Sequence, residues 1–531
     1  MQVGGAQRHD VSIDEALTHG VGEFGRGQLF IILQVGLAWV PAAAEMFVAA
    51  SSSADATTQR FVCSSAQDEA CKAVAQHSRP DLCSLARSSW QWSRPGQSVA
   101  LEWDLICSQA WMVQLPIFSL FFGQLLGFML FAELADVIGR RRALMAAAAL
   151  AAVSGAGSAL AGNLWWYMCL RACTGLGIGG VLQASLQLAS EPVGPNWRAW
   201  LATLMHCVLA AGGMLLALLA WLLPGWRLLA VVTSLIMLLF MIMVPSFPES
   251  PQWLLAIGRK GEATAALAEI ASRNKGHLPE VPLQDMGQGP PVRPLTDILS
   301  HTRVRRRLVL SLVLWPCTWA LYIGLTLMVA VRLDGSAPLN LLTCFGINAA
   351  AVAVAAPVME RLGRSSTAAT VFVAGGVLCL LSAFSQGLMQ RLVGIAAQTS
   401  AAVAVSLLYA CSSGLFPTSV RVVAMRVCTL AGNVGAVLAP GVAVLAVTVH
   451  AQFVPWIPLA AASFVAAAAA LALPESLGMP HADAIQDMAP PLPRRKLLPL
   501  HQLFKTKSTN LSQLHGYFMR LGDTSTASVD V

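Results

Sequence analysis

Along this chain apolar residues gather into blocks of about 20, and the charged residues sit in the stretches between them. Wound as a helix at about 1.5 Å per residue, one block covers about 30 Å, the depth of a bilayer's hydrocarbon. A helix also satisfies its own backbone hydrogen bonds in lipid, which an open strand cannot. The pattern predicts twelve spans. Six cover 28–50, 111–132, 143–162, 164–190, 200–222 and 226–245; six more cover 307–331, 339–359, 367–386, 391–413, 424–447 and 453–473. The expected plan is an all-α membrane protein of two six-helix halves, 28–245 and 307–473, joined by a loop at 246–306 that carries amphipathic helices. The segment 1–27 leads in, 51–110 is a long polar loop of the first half, and the Pro-containing tail 474–531 is expected to be mostly disordered.

Composition supports lipid as the solvent. The 531 residues are 56% hydrophobic and 11% charged, too little polar surface for a soluble globule of this length. The net charge of +7 would suit nucleic acid, but the basic residues flank apolar blocks, so membrane lipid is the expected partner and nucleic acid is not. No cleavable leader is expected: residues 1–27 are polar, and the first apolar run lacks a small-residue cleavage pattern.

Orientation follows from the short basic loops. Arg140, Arg141 and Arg142 lie between spans two and three, Arg361 and Arg364 between spans eight and nine, and Arg259, Lys260, Arg273, Lys275 and Arg303 between spans six and seven. Even numbers of spans separate these loops, so they share one side, the cytoplasm, together with both termini. The loop 51–110 is then external. It holds or borders Cys63, Cys71, Cys83 and Cys107 in an oxidising compartment, so two disulfides are expected, with three pairings open. Free thiols are the plain alternative.

Two strings mark the cytoplasmic turns. LADVIGRRRAL (134–144) sets Asp136 at the end of one helix and Arg140 and Arg141 at the start of the next; MERLGRS (359–365), with Glu360, Arg361 and Arg364, takes the matching place in the second half. Opposite charges there can clamp helix ends in one state and release them in another. A basic turn alone is ordinary, but its recurrence in both halves is not. In RACTGLGIGG (171–180), Arg171 needs a carboxylate or carbonyl partner, and Gly175 and Gly179 share a helix face that allows close packing. Glu133, beside Asp136, reads as boundary chemistry and not as a ligand.

These residues resemble the major facilitator superfamily, and other strings resemble its solute carrier family 22, the organic cation/carnitine branch, plant and algal members included. They are GEFGRGQ (22–28), EWDLIC (102–107), SEPVGPNWR (190–198) with Glu191 and Arg198, and PESPQWLLAIGRKGEA (248–263) with Glu249. LTDILSHTRVRRRLVLSLVLW before and within span seven, GLFPTSVR (414–421) with Arg421, and LPESLG (473–478) extend the match over about 12–480. Gln252 stands where Arg is usual. PESP alone would also fit sugar porters; the long cysteine-bearing loop ending in EWDLIC would not.

The resemblance implies alternating access to a site between the halves, near the midplane. Carried over position by position, it places Trp315, Tyr322, Ser406 and Tyr409 on the cavity wall, with His206 in place of a Gln. Trp315 and Tyr322 are seven apart and so face one way; aromatic faces attract cations, though core packing would serve as well. His206 is either hydrogen-bonded packing or a proton sensor. Asn348 replaces the acidic residue of cation carriers, Asn433 replaces Asp or Arg, and Gly414 replaces Glu. Two amides fit a neutral or zwitterionic substrate, or a weakly held cation. Glu45 is either a substrate or proton site, or a group in the outer vestibule.

The function expected is a transmembrane transporter of small organic solutes, organic cation- or carnitine-like, in the plasma membrane or an organelle such as the vacuole, driven by uniport, exchange or protons. It is not expected to be an enzyme. No G-x-x-x-x-G-K-[ST] loop, metal-ligand spacing or nucleophile motif is visible, so no cofactor and no metal are expected. A sugar porter would need Gln and Asn on span seven, which has almost none. The alternative is a transport-incompetent relative acting as receptor or scaffold, motivated by Asn348, Gly414 and Asn433.

Overall fold

The computed structural model describes residues 13–52, 61–64, 69–75, 82–93, 95–194, 197–223, 225–277, 299–331, 333, 336–448, 451 and 453–475. The tail beyond Glu475, the middle of the loop between the halves and the side chain of Glu360 lie outside the described residues.

Ten of the described helices are long and apolar enough to cross a membrane. Two more take the places of spans three and twelve: Arg140–Ser158, which opens on three arginines, and Trp456–Ala472, which is 17 residues long. Span one breaks at Leu37 and Ala38 into Arg26–Gly36 and Trp39–Ser52, and span eleven breaks at Ala439 into Thr418–Leu438 and Pro440–Thr448. Pro440 accounts for the second break, since proline at that point removes a backbone donor.

Packing follows small residues. Span two (Leu115–Ile138) lies on span four (Leu164–Ser190) through reciprocal glycines. A Cβ on Gly123 would stand 1.9 Å from the Ala172 carbonyl oxygen, and one on Gly175 1.9 Å from that of Leu120. Gly127 and Gly179 repeat the contact one turn on, at 2.2 Å from Leu176 O and 2.4 Å from Gln124 O. With no hydrophobic drive between helices in lipid, such close backbone approach is what holds them together. Span two supplies the partner glycines, Gly123 and Gly127, to the Gly175/Gly179 face expected from the sequence.

The cysteine-bearing loop carries a small hairpin, β1 (Phe61–Cys63) antiparallel to β2 (Trp90–Trp92). Cys63 pairs with Cys71 and Cys83 with Cys107. EWDLIC docks this loop on the bundle. Glu102 accepts from Trp226 Nε1 at 2.7 Å and from Arg227, Trp103 packs on Tyr167 and Trp226, and Asp104 accepts from Arg87 and Trp92.

Candidate functional site

At the end of the bundle that carries the arginine turns, the two halves repeat one device. Gly139 and Gly363 both adopt φ of +101°, a conformation that side chains rarely take, and each reverses the chain into an arginine-led helix. Glu249 then accepts from Arg141 N at 3.2 Å, and Glu475 from Arg364 N at 2.7 Å. Each carboxylate meets the unpaired amides of a helix start, where negative charge is favoured. Both glutamates belong to a Pro-Glu-Ser tripeptide that follows the last span of its half. Glu475 was missed in the sequence, although this repeated tripeptide was the signal for it.

Around these turns Arg140 bonds Asp136 at 3.0 Å and Glu191 at 3.1 Å. Glu191 also accepts from the Ser250 hydroxyl, and its backbone carbonyl from Gln252 at 3.1 Å. Burial pushes the Glu191 carboxyl above its ordinary value, against the opposing pull of Arg140 and Ser250. Arg141 Nη1 reaches Phe247 O at 3.1 Å, Arg198 bonds Asp14 at 2.7 Å, Arg364 reaches Ala410 O at 3.4 Å and Arg421 reaches Phe416 O at 3.2 Å. Arg361 lies on the same turn as Arg364. Across the halves, Arg426 of span eleven donates to Asp136 at 2.6 Å and to Glu133 at 3.4 Å. Arg426 went unread in the sequence, although a charge just inside the span predicted at 424–447 needs a partner and was the signal for it. A cavity of about 160 Å³ at this end lies between Gln34, Arg141, Glu249 and Arg273, away from the wall residues expected to meet substrate.

Arg171 is not among the turn residues. It lies near the other end of span four, unexposed, and donates to Glu45 Oε2 at 3.1 Å and Glu45 O at 2.5 Å. Glu45 also accepts from Thr233 at 2.9 Å and Ser234 at 2.7 Å. With no exposed surface, Glu45 is not a vestibule group in this conformation; it ties spans one, four and six together.

Of the residues expected on the cavity wall, His206, Trp315 and Tyr409 meet where the halves face each other. Trp39 of span one, His206 of span five, Tyr409 of span ten and Trp315 of span seven form a chain of rings, with centroids 5.7, 5.3 and 4.9 Å apart. Trp39 Nε1 is anchored on Ser185 and Trp315 Nε1 on Ser412, each at 3.1 Å. His206 Nδ1 pairs with its own helix at Ala202 O, 2.7 Å away. Tyr322 sits in a second group with Phe47, Phe345 and Trp319. Span eleven comes close because Gly432 leaves room for Trp319 and Trp315, at 2.6 and 3.1 Å from a would-be Cβ.

The amides are placed apart. Asn348 donates to Gln398 Oε1 at 2.9 Å, and Gln398 donates to Thr326 at 2.7 Å. Asn433 receives Gln124 Nε2 at 3.5 Å, across the two halves. Ser406 bonds back to Val403 O at 2.9 Å on its own helix. Among the described residues, His206 Nε2, Trp319 Nε1, Asn348 Oδ1 and Gln124 Oε1 are buried without a hydrogen-bond partner. Such atoms are costly unless something pairs with them.

Comparisons with known proteins agree with this architecture. Residues 46–488 match the family described as sugar (and other) transporter. The chain is 30% identical over 500 residues to organic cation/carnitine transporter 4 of Arabidopsis thaliana, covering 90% of this chain and 91% of that one. It is 28% identical to solute carrier family 22 member 1 of Bos taurus, over 78% and 74% of the two chains. The xylose transporter XylE from E. coli, in an inward open conformation, shares the fold with a TM-score of 0.61 at 17% identity, over 85% of this chain and 97% of that one. A major facilitator fold, two matched arginine turns and relatives that align along most of its length all point the same way: the chain belongs to the sugar (and other) transporter family, is a multi-pass transmembrane solute transporter of the major facilitator superfamily, and within it resembles the organic cation/carnitine and solute carrier 22 transporters.

Proposed function

We propose that this protein carries a small polar organic solute across the plasma membrane, a zwitterion of the carnitine kind or a weakly held organic cation. His206, Trp315, Tyr322, Asn348, Ser406, Tyr409 and Asn433 form the wall it meets. The observation that carries this reading is the chain of rings Trp39, His206, Tyr409 and Trp315 drawn from both halves, together with the separate amide pairs Asn433–Gln124 and Asn348–Gln398, with no carboxylate among these residues. Glu45, buried in span one, already faces Arg171. Ring faces attract a quaternary or primary ammonium, while unpaired Nε2, Nε1 and amide oxygens can meet hydroxyl, carboxylate or ammonium groups on the solute. A fixed anion would hold a cation more tightly than rings do, so this wall favours a solute whose own charges balance.

In this reading the arginine turns face the cytoplasm. The contacts of Asp136, Arg140, Arg141, Glu191, Glu249 and Arg426 close that side and loosen as the halves rock, and Arg198, Arg361, Arg364 and Arg421 brace the helix ends beside them. Uptake of labelled carnitine, tetraethylammonium and a neutral polyol into proteoliposomes, at two external pH values, tests it. Carnitine uptake above tetraethylammonium is expected. Uptake of the polyol alone would sink the reading, and a pH-gradient requirement would assign proton coupling.

A further inference from the structure

We infer that Asn274 is a positioning residue for transport: from the end of the loop helix Lys260–Asn274 its side chain caps span one in trans and sets where that span begins. The first helix of span one, Arg26–Gly36, has Gly25 at its N-cap, which has no side chain to receive the free amides of the first turn. Asn274 supplies the acceptor, with Gly27 N donating to its Oδ1 at 2.8 Å. That is the second helical position, which an N-cap side chain ordinarily serves. The same carboxamide turns its Nδ2 to Val21 O at 3.0 Å and Gln28 Oε1 at 2.7 Å. Buried Gln28 in turn donates to Gly22 O at 2.8 Å, so one side chain gathers most of the GEFGRGQ lead-in.

The glycine at position 25 has a steric reason. Its backbone is extended, with φ −158° and ψ −168°, which any residue adopts. A Cβ there would stand 2.2 Å from Asn274 Oδ1, so a side chain on residue 25 and the amide of Asn274 compete for one place. The loop helix is pressed on span one along the same seam. A Cβ on Gly27 would be 2.9 Å from Ile270 O, and Arg273 lies over the Phe30 ring at 4.3 Å. Span one carries Trp39, Glu45 and Phe47 into the centre of the bundle, so the point at which it starts sets the depth of those residues. The cap therefore joins the loop between the halves to the helix that carries them.

Reciprocal suppression in the full-length protein tests this. Asn274→Ala removes the acceptor, and Gly25→Ser alone collides with Asn274; each should speed hydrogen exchange of the first-turn amides of span one about fivefold, the worth of one cap. The double variant frees the space and places a hydroxyl to cap in cis, so exchange should return to within about twofold of the unsubstituted protein. In proteoliposomes, labelled carnitine uptake should lose maximal rate in each single variant with KM unchanged, and regain it in the double. Additive losses, or a double variant that does not fold, would overturn the proposal. Should the unsubstituted protein carry no carnitine, the proposed substrate fails, and exchange alone decides the cap.

Discussion

The guanidinium of Arg171 donates to the carboxylate of Glu45 over 3.1 Å, and neither side chain has any exposed surface. The Thr233 and Ser234 hydroxyls complete the carboxylate's shell. Removing one partner of such a pair strands the other charge. Glu45→Gln should therefore destabilise the protein by about 3–5 kcal/mol, read as a lower Tm in detergent, and Glu45→Gln with Arg171→Gln should lose less than Glu45→Gln alone. An unchanged Tm in the single variant would remove the brace from the account.

Arg426 bridges the halves to Asp136 and Glu133, with side chains 36%, 39% and 78% exposed. Water screens a pair this open, so its worth is about 0.2–1 kcal/mol. Arg426→Ala should raise hydrogen exchange at the turn around Asp136 about two- to fivefold and leave Tm nearly unchanged. A large fall in Tm would make Arg426 a folding residue instead.

Asn433 sits beside Gln124 at the seam between the halves. Asn433→Asp places a fixed anion there and should shift the ratio of tetraethylammonium to carnitine uptake toward the cation by about tenfold, roughly 1.4 kcal/mol. An unchanged ratio would mean that Asn433 does not face the solute.

Gly175 lies against the backbone of Leu120, so Gly175→Leu must push spans two and four apart. Overpacking costs about 1–3 kcal/mol, and more where backbone is the obstacle. Expression and Tm should both fall, while Gly261→Ala, where a Cβ meets nothing within 4 Å, should not lower either.

Glu191 holds its proton above the ordinary carboxylate value of 4.5 because it is buried. The folded state then binds a proton that the unfolded chain has already lost, and stability from this group is lost as pH rises from 4.5 through the raised value. Glu191→Gln cannot titrate, so its Tm should vary less with pH over that interval; an unaltered Tm profile would count against Glu191 as its source.

Much of this protein was legible one residue at a time. Blocks such as 200–222 announce lipid because a helix in hydrocarbon must be apolar along its whole length. The recurrence of Gly-Arg after spans two and eight gave away the twin halves. The outline was harder to read where charge or proline interrupts a block. The helix predicted at 143–162 starts at Arg140, and span eleven divides before Pro440.

Composition and period were enough for the solvent, the pairing of the halves and the residue types available at the centre. Tertiary structure alone decided the partners: Glu45 for Arg171, Arg426 for Asp136, Gln398 for Asn348 and Cys71 for Cys63. Most of these pairs lie far apart in the chain, and even the nearby cysteines allowed three pairings. A charge or amide in low dielectric must find some partner, but which one depends on how helices distant in sequence pack, and here that packing is set by where glycine lets backbones touch.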